Sequence, residues 1–440
     1  MPLFEYPELV FTQIALLVIS GIWLLRRNDE IPLLISSFLF YVASYRYWAV
    51  TNGIGHWVNL GSFGFSSITD EVALIALSYI VLGQIFLIST YMVRQRKVLP
   101  VVIPIGDRSF LQWLSPKVIL LGLFCLPLVI VVRTNLLAQL LAGKSLGFQV
   151  SSYLILFPLA LVGIALLVFS LWKQGGFTSF PTKIAAISII LGVAYFTYGP
   201  QTRFLFLGWL IGGGIILSAS YRPQTRLVIL TCCAVLGISL FAVAGAMRNI
   251  ELTAASLNQA AWERAFSAED ANMLDGFVLI QEIYPQRLDF SLGMEHLEII
   301  MRPIPRAWWP NKPVGGYMNK LGLITANTGF TLGISPTIFG SFYAEYGLIG
   351  IVFFSIVYGT ILADLVSYTT KLHPFANSLI RAMVCAALIP LLRGGDLPGI
   401  YAWFGMAFWP CLLLLWIKRS YLKQQLVKPI IVYYNAEKHE

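Results

Sequence analysis

The sequence predicts an all-α polytopic membrane protein with about eleven transmembrane helices and one large loop outside the cytoplasm. Three observations carry that reading. Of 440 residues, 58% are hydrophobic and only 12% are charged, against roughly 25% charged in a soluble domain. The apolar residues gather in runs near the ~20 residues that cross a bilayer as a helix. No strand-like alternation runs through them, and lipid cannot satisfy an open backbone, so the runs must be helices.

In chain order the runs are 9–25, 31–50, 72–93, 118–132, 153–172, 184–198, 204–218, 227–247, 347–366, 378–392 and 400–417. The first lacks the features of a cleavable signal, because Glu5 and Glu8 precede it where lysines would stand and no small-residue cleavage site follows. Orientation follows from the cations. With the N-terminus outside, the cytoplasmic segments collect Arg26, Arg27, Arg94, Arg96, Lys97, Arg222, Arg226, Lys371, Arg381, Lys418 and Arg419 among others. Outside the long loop, the opposite side keeps only Arg46, Arg133, Lys144, Arg203 and Arg393. The net charge of +9 therefore belongs to the lipid headgroups of one face rather than to nucleic acid. An odd number of spans then leaves the C-terminus in the cytoplasm.

Three regions result: a bundle over residues 1–247, a loop over 248–346, and the last helices with a tail over 347–440. The loop holds ten of the 21 acidic residues and seven basic ones, a balance of −3 while the rest of the chain is +12. Helical periodicity appears at 254–266 and 269–283, and a short third helix at 294–301 ends before Pro303 and Pro305. A loop this long with helices of its own is usually functional.

Several chemistries find no residues to carry them. There is no D-x-D and no H-E-x-x-H, and the four histidines are scattered. Gly143-Lys144-Ser145 lacks the earlier glycine of a phosphate loop, since Ala138 stands there. All five cysteines lie in apolar runs and read as small buried hydrophobes. Neither a metal nor another cofactor is expected.

The arginines say more. Arg46, Arg133, Arg203, Arg248 and Arg393 all fall at outer helix ends. Arginine costs about 2.5–3.5 kcal/mol inside a membrane helix, so it tends to face a cavity or a partner. Together such forks suit a pyrophosphate; taken singly, each also fits interfacial snorkelling. In the loop, residues 302–313 combine four prolines with Arg302, Arg306, Lys312, Trp308 and Trp309. The tryptophans serve either as stacking faces for sugars or as an interfacial belt. Candidate proton carriers are Glu345, beside Tyr343 and Tyr346 at the end of the loop, with Asp275 and His296 as alternatives. For each acid a salt bridge or a solvated face is the plainer role.

Four stretches resemble the bacterial oligosaccharide repeat-unit polymerases, the Wzy-type O-antigen and exopolysaccharide polymerases. They are Gly199-Pro200-Gln201-Thr202-Arg203; Ile304-Pro305-Arg306 with Trp309, Lys312 and Pro313; Ser335-Pro336 through Tyr343, Glu345, Tyr346, Gly347 and Gly350 to Tyr358-Gly359; and Arg393-Gly394-Gly395-Asp396. They cover about residues 199–396, and the N-terminal half agrees in hydropathy alone. The resemblance implies a metal-independent, GT-C-like membrane glycosyltransferase of the cytoplasmic (inner) membrane. Its substrates would be undecaprenyl-pyrophosphate-linked oligosaccharides, and a chain-length-regulating co-polymerase is a possible partner. A ligase-like glycan transferase and a lipid-linked glycan flippase are the competing functions.

Overall fold

A computed structural model describes residues 6–61, 64–100, 108–133, 157–198, 203–246, 254–268, 271–302, 304, 308–309, 312, 316–321 and 334–424. Among these residues the protein is helical, and its single β-type contact is a bridge between Thr337 and Gly394. Nine helices among the described residues are long and apolar enough to cross a membrane. They are α1 (Tyr6–Arg27), α2 (Ile31–Thr51), α3 (Asp70–Arg94), α4 (Arg108–Arg133), α6 (Phe180–Thr197), α8 (Pro223–Ala246), α13 (Thr337–Thr369), α14 (Pro374–Arg393) and α15 (Leu397–Ile417). Two shorter apolar helices, α5 (Ala160–Lys173) and α7 (Arg203–Ser218), complete the apolar set. The helices expected in the long loop form as α9 (Ala254–Ser267), α10 (Met273–Ile283) and α11 (Met294–Met301), with a short α12 (Tyr317–Lys320) and a final α16 (Arg419–Gln424).

The helix ends sort onto two faces. On one, the Arg27 carbonyl accepts the Leu99 N–H, Arg94 bridges Asp364, Lys173 donates to the Leu217 carbonyl, and the Leu422 carbonyl accepts the His373 N–H. On the other, Tyr41 and Tyr45 donate to the carbonyls of Ala265 and Phe266, and Phe204 packs on Phe241.

Between these faces the cation tally meets an exception. Arg226 and Arg381, read from sequence as cytoplasmic charges, are fully buried on Glu30. Arg226 Nη2 lies 2.7 Å from Glu30 Oε2, and both arginines also donate to the Asn28 carbonyl. Beside them Asp29 accepts from Tyr91 at 2.7 Å and from Trp23 at 3.1 Å. Two acids and two arginines balance in charge, which is the condition for burying them at all. The cluster ties the α1–α2 turn to α3, α8 and α14.

The largest departure from the hydropathy reading is at α13. The run starting at Gly347 is only its second arm; the helix begins at Thr337 and breaks at Tyr346 (φ −147°, ψ 26°) and Gly347 (φ 61°, ψ −141°). Gly347 supplies the left-handed φ that a side chain would resist. Phe339 presses on Gly83 and Tyr343 lies 6.1 Å from Tyr79, so the first arm runs antiparallel to α3. Ile351 meets Gly83 and Gly359 meets the Leu87 carbonyl, so the second arm runs parallel to it. The arms fold back on each other: a Cβ on Gly350 would collide with the Phe342 carbonyl, and Phe342 lies 5.0 Å from Tyr358. Gly83 is thirteen residues into α3, ~20 Å along its axis at 1.5 Å per residue. The start of α13 is therefore set deep in the bundle. Helix α10 joins it there, with Met273–Ile280 buried, Phe277 against Tyr343, and Gly276 tight under the Ser335 carbonyl.

Candidate functional site

The site grows from the break in α13. At a helix break the last carbonyls lose their partners, and here the turn before α11 fills two of them. Ser291 N–H donates to the Ala344 carbonyl at 2.8 Å and Leu292 N–H to the Glu345 carbonyl at 3.1 Å. The Glu345 side chain returns the favour from a fully buried position. It accepts the N–H of Gly293 and of His296, capping the N-terminus of α11, where free N–H groups and the helix dipole favour a carboxylate.

His296, on the first turn of α11, sits with Nδ1 2.8 Å from Glu345 Oε1. Its ring stacks on Phe354 at 4.1 Å with planes 6° apart, so its orientation is fixed. Nε2 faces the Tyr358 hydroxyl at 3.2 Å, and Tyr401 of α15 donates to that hydroxyl at 3.1 Å. A carboxylate orienting an imidazole whose second nitrogen faces a hydroxyl is the arrangement of a general base.

Next to this chain lies a cluster of ionisable side chains. Glu295 is buried, and burial first, then Glu345 and Glu298 as like charges, push its carboxyl up to about 8 against the pull of Lys320. Glu298 is raised as well, first by burial. Lys320 stands 4.0 Å from each, and one oxygen of each acid finds no hydrogen-bond partner among the described residues. Burial, then the Glu295 charge, pushes the Tyr284 phenol up to about 12. Arg302, at the end of α11, lies 3.9 Å from Asp396. Asp396 belongs to the tight turn Arg393-Gly394-Gly395-Asp396 between α14 and α15. Gly394 (φ 71°) has no room for a Cβ, which would collide with the Thr337 carbonyl, and Ser341 donates to the Gly395 carbonyl at 3.2 Å. The third and fourth stretches of the resemblance thus meet in space.

The remaining candidates divide. Arg393 closes α14 with its guanidinium 4.4 Å over the Phe204 ring, next to Arg203, the first residue of α7. Arg248 and Arg306 lie outside the described residues, as do Gly199–Thr202 and Gly143–Ser145; of Arg203 and Arg133 only the backbone is described. Lys312 is buried and donates to the carbonyls of Arg302 (2.7 Å) and Ile304 (2.9 Å). That is a cation closing the C-terminus of α11, which the helix dipole favours. Trp308 is 82% exposed, Trp309 is half-buried, and Tyr343 packs among Tyr79, Phe277 and Phe290.

Asp275 is held apart from this cluster. Arg46 grips it bidentately (3.1 and 3.0 Å) and Val58 N–H adds a third bond at 2.9 Å, while Arg46 also donates to the carbonyls of His56 and Ser267. Both side chains are buried. Arg46, grouped by sequence with the outer arginines, is thus taken by Asp275. Sequence reasoning missed Tyr358, Tyr401 and Lys320 as members of one site. Tyr358 did stand in a quoted stretch, beside Gly359. Among the described residues no three His, Cys, Asp or Glu side chains converge as a metal-binding group. Comparison of the chain with protein-family models, with curated proteins and with solved structures finds no match in any of the three.

Proposed function

We propose that this chain is a membrane glycosyltransferase that polymerises undecaprenyl-pyrophosphate-linked oligosaccharide repeat units on the outer face of the cytoplasmic membrane. The observation that carries the reading is the Glu345–His296 pair at the start of α11, a helix that ends at the Arg302–Asp396 contact, with Arg393 opening the turn that holds Asp396, within a bundle of apolar helices. Counting α5 and α7 with the nine longer helices gives the eleven spans of this reading. Lys173 at the end of α5 reaches Leu217 at the end of α7, while the start of α7 meets the end of α8 through Phe204 and Phe241. With the cation-rich face in the cytoplasm, this reading has the N-terminus outside and the C-terminus inside.

In this mechanism the donor's pyrophosphate lies against the arginines, which stabilise charge as it develops on the leaving group. The acceptor's hydroxyl attacks the donor's anomeric carbon, and the proton equivalent that it loses is taken up at His296 Nε2. Glu345 keeps the imidazole oriented rather than taking the proton itself, because its oxygens already accept three N–H groups. The test is the lipid-linked glycan of a strain lacking the protein. Single repeat units should accumulate on their lipid carrier at the outer leaflet. Full-length polymer retained on the lipid would indicate a ligase, and repeat units trapped at the inner leaflet a flippase; either result overturns the reading.

A further inference from the structure

We propose that Tyr358 and Tyr401 extend His296 into a phenolic proton relay, with the Tyr401 oxygen as the group that receives the acceptor's hydroxyl proton. The inference rests on the glycosyl-transfer reading above and assigns the acceptor subsite to the side of α15 that carries Tyr401.

The direction of every hydrogen bond in the chain follows from its fixed end. Glu345 Oε2 is taken by Gly293 N–H, and Oε1 accepts from His296 N–H and faces Nδ1. A carboxylate can only accept, so Nδ1 carries a proton, and in the neutral imidazole that acts as a base Nε2 is the acceptor. Tyr358 must then donate to Nε2, and Tyr401 donates to Tyr358. Among the described residues none donates to the Tyr401 oxygen, whose lone pairs are the accepting end of the chain. Three helices from separate parts of the chain supply the links: α11, the second arm of α13, and α15. Stacking of His296 on Phe354 and packing of Tyr358 on Phe342 hold the geometry.

The step balances. The acceptor oxygen bonds to the anomeric carbon as the bond from that carbon to the pyrophosphate oxygen breaks, and the electron pair leaves on the pyrophosphate. The acceptor's hydroxyl proton passes to Tyr401, the Tyr401 proton to Tyr358, and the Tyr358 proton to His296. The resulting imidazolium is paired with the Glu345 carboxylate. After the product leaves, the relay returns the proton to water.

The test uses the purified full-length protein with lipid-linked repeat units as substrate. Tyr401→Phe and Tyr358→Phe should each lower kcat by about 10²-fold, the lower range for loss of general-base help. KM and the thermal midpoint should stay as in the wild type. Turnover of the wild type in mixtures of light and heavy water should show more than one moving proton, and turnover of the variants one. Wild-type kcat in Tyr401→Phe overturns the relay. So does a raised KM or a lowered midpoint at unchanged kcat, which is what a purely structural role gives. If Tyr358→Phe yields no folded protein, Tyr401→Phe decides alone, since Tyr401 is the link farthest from α11. Wild-type protein that releases no lipid pyrophosphate overturns the glycosyl-transfer reading instead, so the two failures are distinguishable.

Discussion

His296 Nδ1 lies 2.8 Å from Glu345 Oε1, and the same carboxylate accepts the backbone N–H of His296 and of Gly293. One buried acid thus caps a helix and orients the imidazole which that helix carries. The two duties separate by substitution. Glu345→Ala strips the cap and should cost about 1–3 kcal/mol, the penalty of leaving buried donors unmade. Glu345→Gln keeps an acceptor for Gly293 and should lose less stability, while turnover falls because the imidazole is no longer held by a charge. His296→Gln should lose turnover by ~10²–10⁴-fold with a small change in thermal midpoint. Full activity of His296→Gln in a reconstituted assay would remove it from the chemistry.

The buried Glu295 predicts a pH dependence of stability. Its carboxyl rises from an ordinary 4.5 to about 8, chiefly through burial. The folded protein therefore binds this proton more tightly than the unfolded chain does. The associated stability is fully present below pH ~4.5 and is lost as pH rises through about 8. Glu295→Gln should flatten that part of the profile and raise the thermal midpoint at pH 8 relative to the wild type. A steeper profile in the variant would contradict the assignment.

Arg46 and Asp275 form a buried pair linking α2 to α10. Breaking such a pair from one side costs about 3–5 kcal/mol, because the other charge is left without its partner. Asp275→Asn and Arg46→Met should each lower the thermal midpoint sharply, and the double variant should recover part of the loss. Asp275→Asn that folds as well as the wild type yet is inactive would instead make Asp275 a proton carrier.

Gly394 and Gly395 stand side by side with positive φ, but only Gly394 abuts the Thr337 carbonyl. Alanine at 394 must therefore push apart the α14–α15 turn and the start of α13, whereas alanine at 395 meets strain from the backbone alone. Expression of folded protein, read by size-exclusion chromatography in detergent, should fall far more for Gly394→Ala than for Gly395→Ala. Equal yields would deny that the turn is wedged in place.

Cysteines placed at the exposed positions Gln286 and Ser420 of a cysteine-free variant test orientation. The proposed topology expects Gln286→Cys to react with a membrane-impermeant thiol reagent in intact spheroplasts and Ser420→Cys to react only after lysis. The reverse pattern would invert the bundle.

Hydropathy by itself determined the all-helical membrane class and the approximate place of each apolar helix, because the ~20-residue requirement of a bilayer is written locally in composition. Periodicity likewise located α10 and α11, whose apolar residues recur on one face. Tertiary structure alone decided who pairs with whom. Arg226 and Arg381 look like interfacial cations by position, yet each joins Glu30 across 196 and 351 residues of chain. The first arm of α13 was hidden in the loop because it is short and, ahead of Gly347, carries Tyr343, Glu345 and Tyr346, which a hydropathy window reads as the end of a polar segment. Tyr358 and Tyr401 passed as ordinary aromatic members of membrane helices. What makes them a chain with His296 is the fold-back at Tyr346–Gly347 and the descent of α11 beside α15. Those contacts are set by packing between distant segments, to which a local pattern is blind.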